Sequence, residues 1–181
     1  MKNKKLLLLF TFVAVIQIFT ALYMAWQWED ILQTGQRFLW ATAPVDPYDA
    51  FKGRYIDLRF KENSGLIIDN AGYSYGQKAY ALIGENADGK TTVIGVSSKQ
   101  PEGKPYVKVK VNYTEGRTAH IELPFKRYHL PEDMAAPAET AYRESAGNTG
   151  GAAVRVKNGY GVIEELYLGE KPLNEYLKQF R

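Results

Sequence analysis

The sequence contains no cysteine and only two histidines. The lack of cysteine excludes disulfide frameworks, thiolate zinc sites, cysteine nucleophiles, iron–sulfur clusters and a lipidated N-terminal cysteine. Internal repeats and long low-complexity tracts are also absent, and an apolar fraction of 45% excludes a disordered chain. A length of 181 residues therefore indicates one ordinary globular domain together with a small additional segment.

Excess charge of one sign is absent from most of the chain. The formal net charge is +3, but Lys2, Lys4 and Lys5 account for it, because the remainder has 20 basic and 20 acidic residues. This balance offers no electrostatic reason to expect a nucleic-acid partner.

An uncharged run of 19 residues, from Leu6 to Met24, follows the three lysines. A helix of this length reaches roughly 28 Å, close to the hydrocarbon thickness of a bilayer. The run ends among Tyr23, Trp26 and Trp28, which is typical of an interfacial aromatic belt, whereas signal peptidase requires small residues at its cleavage site. We therefore favour a permanent transmembrane anchor over the alternative, a cleaved signal peptide.

The charges that flank this run predict its orientation. Three lysines precede it and Glu29 and Asp30 are the first charges after it, so the positive-inside rule predicts a cytoplasmic N-terminus. In a bacterium the chain would be a single-pass protein of the inner (cytoplasmic) membrane, with its C-terminal domain in the periplasm or outside. We assign residues 1–28 to a cytoplasmic tip and transmembrane anchor and residues 29–181 to an exported domain.

The exported part shows short strands separated by turn signals. The predicted strands cover residues 36–43, 55–60, 77–83, 91–96, 106–113, 118–123, 152–157 and 160–168. Short helices are expected within residues 131–145 and after Pro172. About eight strands predict a mainly β fold, an antiparallel barrel-like or sandwich domain with one or two short helices.

Two lysines mark the solvent face of the predicted hairpin formed by residues 106–113 and 118–123. Lys108 and Lys110 alternate with valines along the first strand. Alternating lysines on an exposed strand also resist edge-to-edge pairing.

The predicted strand at residues 55–60 alternates strictly between polar and apolar side chains. Ile56, Leu58 and Phe60 share the face that we assign to the core, and Tyr55 lies on the opposite face. Two interpretations of Tyr55 are open. It covers the strand as a cross-strand aromatic residue, or it lies in a contact surface beside Arg54 and binds a partner.

The segment PVDPYDAFKGRYIDLRF, residues 44–60, resembles the signature of the GDYXXLXY family, small membrane-anchored bacterial proteins of unestablished biochemical function. In this segment Arg54 replaces the acidic residue of the signature and Phe60 replaces its second tyrosine. The resemblance extends to the anchor, to residues 95–98 and to residues 128–132. Three positions match the signature itself: Gly53, Tyr55 and Leu58.

The resemblance implies a location and an architecture but supplies no catalytic residues. It also implies a polytopic membrane protein as partner, because family members are often found beside one. The aspartates and proline before the strand are turn formers, and a glycine suits a bend there. The candidate binding or motif residues are Asp46, Pro47, Asp49, Gly53, Arg54, Tyr55, Leu58 and Phe60.

Catalytic motifs are missing from the sequence. His120 and Glu122 share a strand face, but a third metal ligand at a diagnostic spacing is lacking, so no metal or other cofactor is expected. No Gly-x-Ser-x-Gly motif occurs. The chain is therefore expected to be non-enzymatic.

Two alternative functions remain open. A membrane-bound Ser/Lys hydrolase, resembling a signal peptidase in topology, would use Ser97 or Ser98 as nucleophile and Lys108 or Lys110 as base. The thirteen tyrosines are compatible with a carbohydrate-binding domain, although packing explains them better, because many lie in predicted strands. We favour a membrane-anchored extracytoplasmic binding or assembly module of the bacterial envelope that acts with a polytopic membrane protein.

Overall fold

A single long helix opens the structure and contains the apolar run of the sequence. The computed structural model describes residues 2–43, 55–129 and 150–178, together with Met134, Pro137, Ala138 and Ala141. Helix α1 spans Lys2–Thr34, and its most apolar window has a mean hydropathy of 2.3 and is not buried by the rest of the protein. By length and composition α1 can cross a membrane once.

The last turns of α1 pack directly on the domain. Ile31 is buried in it, and the Lys157 ammonium donates to Asp30 Oδ2 at 2.6 Å and to Thr34 Oγ1 at 2.7 Å. The helix therefore continues six residues past residue 28, where we expected the anchor to end. A buried side chain and an ion pair fasten it to the sheet that follows.

Twelve strands follow α1 among the described residues. They are β1 Gln36–Ala43, β2 Tyr55–Asp57, β3 Arg59–Phe60, β4 Ser64–Leu66, β5 Lys78–Glu85, β6 Thr91–Ser97, β7 Tyr106–Glu115, β8 Thr118–Glu122, β9 Arg127–His129, β10 Gly150–Lys157, β11 Tyr160–Leu168 and β12 Lys171–Pro172. A short helix, α2 Leu173–Leu177, follows β12.

The strands form two five-stranded antiparallel sheets and one two-stranded ribbon. The first sheet has the order β12-β11-β10-β1-β3, the second has the order β4-β8-β7-β5-β6, and β2 pairs with β9. After β4, Ile67 forms a parallel bridge with Val96 of β6, and the N–H of Ile68 donates to the Val96 carbonyl at 3.0 Å. This contact nearly closes the second sheet into a barrel, so the predicted mainly β, barrel-like fold is confirmed.

One hydrophobic core joins the two sheets. Trp40 of β1, Phe60 of β3 and Phe125, which follows β8, pack edge to face with ring centroids 5.4 to 5.7 Å apart. Such geometry is favoured by the quadrupoles of aromatic rings. Because Phe125 lies in the segment that leaves β8 of the second sheet, the cluster packs this segment against the first sheet.

Most of the predicted strands are present, and two of them, residues 36–43 and 160–168, have the predicted ends. The predicted strand at residues 55–60 is instead divided between β2 and β3, which pair with β9 and β1 respectively. Leu58 lies between them, and its N–H donates to the Lys126 carbonyl at 2.7 Å. Strands β4, β9 and β12 were not predicted, because two or three residues are too few for a detectable alternation.

Strand β7, which contains Lys108 and Lys110, is an interior strand between β5 and β8. The prediction that its lysines protect a sheet edge is therefore wrong. The predicted terminal helix is confirmed as α2, whose Leu173 and Leu177 are fully buried. Of the helix predicted within residues 131–145, only residues 134, 137, 138 and 141 are described, and their backbone is helical.

Candidate functional site

The inner face of the motif strands β2 and β3 belongs to the core. Ile56, Leu58 and Phe60 are exposed by only 4%, 4% and 7%, which confirms the predicted face. Residues with so little exposed surface are not available to a ligand. Binding by the described motif residues, 55–60, would therefore involve the outer face of β2 and β3.

The outer face of the β2–β9 ribbon contains a small polar cluster around Tyr55. Tyr55 is opposite His129, with ring centroids 5.8 Å apart, and the Arg127 guanidinium lies 4.5 Å from the Tyr55 ring centroid. Arg127 Nε also donates to Asp57 Oδ1 at 3.3 Å. These contacts agree with the interpretation in which Tyr55 covers its strand. The remaining motif residues lie outside the described residues: Asp46, Pro47, Asp49, Gly53 and Arg54.

A groove of about 1070 Å³ lies beside this ribbon, along the outward side of β5, β7 and β8. We call it the basic groove, because two acidic residues, Asp57 and Glu122, line it together with five basic ones. The basic residues are Lys78, Lys108, Lys110, Lys126 and Arg127. In a domain with equal numbers of basic and acidic residues, this surface is a local concentration of positive charge.

Two of the five cations have carboxylate partners. Arg127 pairs with Asp57, and the Lys126 ammonium donates to Glu122. The Lys126 hydrogen bond and charge, followed by the nearby Lys110, lower the pKa of Glu122. Both acidic residues of the groove are thus already engaged.

Among the described residues, the other three cations form no ion pair of this kind. Lys78 of β5 stands directly opposite Lys110 of β7, and like charges in this arrangement repel. Lys110 is also opposite Glu122, whose carboxylate is already bonded to Lys126. Within the described part of the chain, no carboxylate forms an ion pair with Lys78 or Lys108.

Aromatic side chains connect the basic groove to α1. Trp28 of α1 packs edge to face on Tyr160, with ring centroids 6.3 Å apart. On the same ring, the Lys108 ammonium lies 4.0 Å from the centroid. Tyr160 is held there by a tight turn at Asn158 and Gly159, whose φ values of 53° and 81° suit a two-residue hairpin. One end of the groove therefore lies at the helix, three residues before the buried Ile31.

A second polar cluster is centred on Asp69, in the segment between β4 and β5. Asp69 accepts hydrogen bonds from the Tyr73 hydroxyl at 3.0 Å, and from the N–H and hydroxyl of Ser98 at 2.6 and 2.7 Å. Burial opposes ionisation of Asp69, but the hydrogen bonds from Ser98, Tyr73 and Ala71 together outweigh it and lower the pKa of Asp69 to about 2. Burial, with the hydrogen bond to Asp69, raises the pKa of Tyr73 to about 12. The cluster fixes this segment to the end of β6.

The contacts of this cluster bear on whether Ser97 or Ser98 can act as the nucleophile of a hydrolase. A serine nucleophile needs a base that removes its proton, and a carboxylate with a pKa of about 2 is a poor one. Ser97 and Lys108 lie on either side of Tyr80 in the sheet, which separates their backbones by about 10 Å. The geometry therefore gives no support to a pair of Ser97 with Lys108.

The residues of the considered metal site have other contacts. His120 stacks on Tyr113 with ring centroids 4.2 Å apart, and Glu122 binds Lys126. The described residues contain no group of three or more metal-ligating side chains.

Sequence reasoning identified Lys108 and Lys110 but missed the groove that they line. Lys78 lies in a predicted strand, yet its position opposite Lys110 depends on the pairing of β5 with β7, which are not consecutive. The contact of Trp28 with Tyr160 joins residues 132 positions apart. The only pattern in the sequence that bears on these residues is the alternation along each strand. It predicts which side chains share a face of the sheet, but it does not predict which strand lies next to them.

Comparison with known proteins places the chain in a family. Neither the curated proteins nor the solved structures that were compared with it provide a match. A family model described as GDYXXLXY protein matches residues 17–166, from the middle of the apolar run to near the end of β11. This range includes strands β1 to β10, most of β11 and the basic groove, and it covers most of the chain. The chain therefore belongs to the GDYXXLXY family.

Proposed function

We propose that this protein is a non-enzymatic binding or assembly module that crosses the bacterial inner membrane once. Its N-terminus lies in the cytoplasm, its β domain lies on the outer side, and it acts with a polytopic membrane protein. The lysines before the apolar run and the acidic residues after it support this orientation.

The observation that carries the proposal is a polar side chain in the middle of the span. Thr11 and Thr20 bond to carbonyls of their own helix, at 3.0 and 2.8 Å. For Gln17, no hydrogen bond forms within the described part of the chain. An unpaired amide is unfavourable in hydrocarbon, and another transmembrane helix can satisfy it.

The surroundings of Gln17 suit a helix partner. Ala14 and Ala21 lie three positions before it and four after it, so they share its face and allow a second helix to approach closely. The most apolar window of α1 is not covered by the protein's own domain. A partner that supplies a transmembrane helix therefore has free access to this face.

The junction of α1 with the domain supports a role in assembly. Ile31 and the ion pair of Asp30 with Lys157 attach the helix to the first sheet without an intervening linker. A partner that binds the helix face consequently also determines the direction in which the basic groove points.

Site-specific photo-cross-linking in cells tests this proposal. A photoreactive amino acid replaces Ala21, on the Gln17 face, or Phe19, on the opposite face, which is the matched control. We expect an adduct with a multi-spanning membrane protein from position 21 alone, and we expect Gln17→Leu to abolish it. An adduct between two copies of this chain, or equal adducts from both positions, would contradict the proposal.

Because the sequence contains no cysteine, labelling of single introduced cysteines can measure the orientation in the same cells. Lys99→Cys, at an exposed position of the domain, should react with a membrane-impermeant maleimide in intact spheroplasts, and Lys4→Cys only after lysis. The reverse pattern would contradict the proposed topology.

A further inference from the structure

We propose that the basic groove binds the phosphate headgroups of anionic phospholipids in the outer leaflet of the membrane that α1 crosses. The inference rests on the proposed membrane crossing and adds a ligand class to it. Three observations support it. One end of the groove lies just beyond the apolar run of α1, Lys78 and Lys108 form no ion pair with another described residue, and aromatic side chains line the groove.

The rise of α1 gives the distance between the hydrocarbon and the end of the groove at Trp28. Met24 ends the apolar run, and Trp28 lies four residues later, which is about 6 Å farther along the axis. A headgroup layer is roughly 5 to 8 Å thick on each side of the hydrocarbon. Trp28 therefore lies in this layer, and Tyr160 and Lys108, which stack on one another beside it, lie there too.

The lysines provide the charge complementarity. Lys78 and Lys110 face each other across neighbouring strands, and Lys108 follows on the same side of β7. A phosphate between them would reduce this repulsion, and the two carboxylates of the groove are already bonded to Lys126 and Arg127. Lys90, Lys99 and Lys104, by contrast, do not line the groove.

The aromatic residues match the environment of a headgroup layer. Trp28 and Tyr160 are 46% and 39% exposed, and each has an apolar body with one polar group. Side chains of this kind are enriched where hydrocarbon meets water. A lipid bound in the groove can therefore place its phosphate at the lysines while its acyl chains remain beside α1.

Lipid selectivity of the full chain tests the proposal. The protein is reconstituted into phosphatidylcholine vesicles that contain a trace of spin-labelled phosphatidylglycerol or of spin-labelled phosphatidylcholine. The motionally restricted fraction of each label gives the relative association constant. The groove variant carries Lys78→Gln, Lys108→Gln and Lys110→Gln, and the matched control, with the same loss of charge, carries Lys90→Gln, Lys99→Gln and Lys104→Gln.

We expect the wild type and the control variant to prefer phosphatidylglycerol and the groove variant to bind both labels equally. Each lysine in contact with a headgroup should account for a loss on the order of fivefold, which added salt should reduce. If the groove variant preferred phosphatidylglycerol as strongly as the wild type and the control variant do, the proposal would be overturned. Lys108→Gln alone provides the same comparison if circular dichroism shows that the triple groove variant is unfolded.

Two further arms distinguish a bound lipid from a soluble phosphate ester and from a chain that does not cross the membrane. Excess soluble glycerol phosphate should not displace the labelled lipid. Displacement would assign the groove to a soluble phosphate ester and overturn the lipid assignment. Extraction of the wild type from the vesicles by carbonate would overturn the membrane crossing and this proposal together, whereas a firmly inserted protein without lipid preference would overturn this proposal alone.

Discussion

The outer surfaces of the two sheets both contain cations, but the contacts that these cations form differ. On the first sheet Arg155 and Arg37 both bond to Glu164, at 2.7 and 3.0 Å. On the second sheet the lysines of the basic groove stand beside one another, and the nearby carboxylates are bonded to Lys126 and Arg127. The arginines of the first surface are bonded to a carboxylate, whereas Lys78 and Lys108 of the second form no ion pair with another described residue.

This difference separates charges that stabilise the fold from charges that are available to a ligand. Arg155 and Glu164 hold neighbouring strands together through two hydrogen bonds from one guanidinium. Lys78 and Lys108 form no ion pair in the described residues, so they contribute no ion-pair energy of this kind to folding. Substitutions in the two surfaces should therefore change stability by different amounts and with different signs.

The largest expected effect concerns the core that both surfaces share. Leu58→Ala should lower the free energy of unfolding by about 2 to 4 kcal/mol. Leu58 is only 4% exposed, and the shorter side chain of alanine would leave a cavity in the core. Urea denaturation of the full chain in detergent micelles measures this change. Leu66→Ala is the matched control, since Leu66 is 60% exposed and its loss should cost at most about 0.5 kcal/mol. Equal effects of the two substitutions would contradict the assigned inner face of the motif.

An intermediate effect is expected on the outer surface of the first sheet. Arg155→Gln should lower the free energy of unfolding by about 1 to 2 kcal/mol at neutral pH, because it removes a charged hydrogen-bonding pair that is partly exposed. The exposed Arg59, which forms no ion pair with another described residue, is the control, and Arg59→Gln should change little.

The pH dependence of Arg155→Gln sharpens this test. The Arg155 hydrogen bond lowers the pKa of Glu164 from its usual 4.5 in the folded protein. Ionised Glu164 therefore stabilises the fold above pH 4.5, and this contribution is lost as the pH falls through the lowered pKa. The difference between wild type and Arg155→Gln should shrink as the pH falls below 4.5. A difference that is independent of pH would show that Arg155 acts through packing alone.

The same contrast shows what the sequence can and cannot reveal. Strand alternation predicted that Ile56, Leu58 and Phe60 share a buried face, because burial of one face imposes a period of two on the sequence. It also predicted the outward direction of Lys108 and Lys110. Local patterns of this kind depend only on neighbouring residues along the chain, so they are readable without knowledge of the tertiary fold.

The partners of those side chains were not readable. Whether a lysine meets a carboxylate or another lysine depends on strand order and register, and β5 pairs with β7 rather than only with its neighbour β6. The division of residues 55–60 between β2 and β3 has the same cause, since it follows from the positions of β9 and β1. The predicted fold class was therefore confirmed, while the basic groove became visible only in the structure.

The smallest effect, with the opposite sign, is expected in the basic groove. Lys78→Gln removes one member of the like-charged pair with Lys110 and should raise the free energy of unfolding by up to about 0.5 kcal/mol at low salt. High salt screens this repulsion, so the gain should disappear there, and Lys99→Gln, at an exposed site outside the groove, should show neither effect. Paired urea titrations at low and high salt resolve so small a change because both proteins are compared under identical conditions. A destabilisation comparable to that of Arg155→Gln would mean that Lys78 contributes to folding, and the two surfaces would then not differ in the way their contacts indicate.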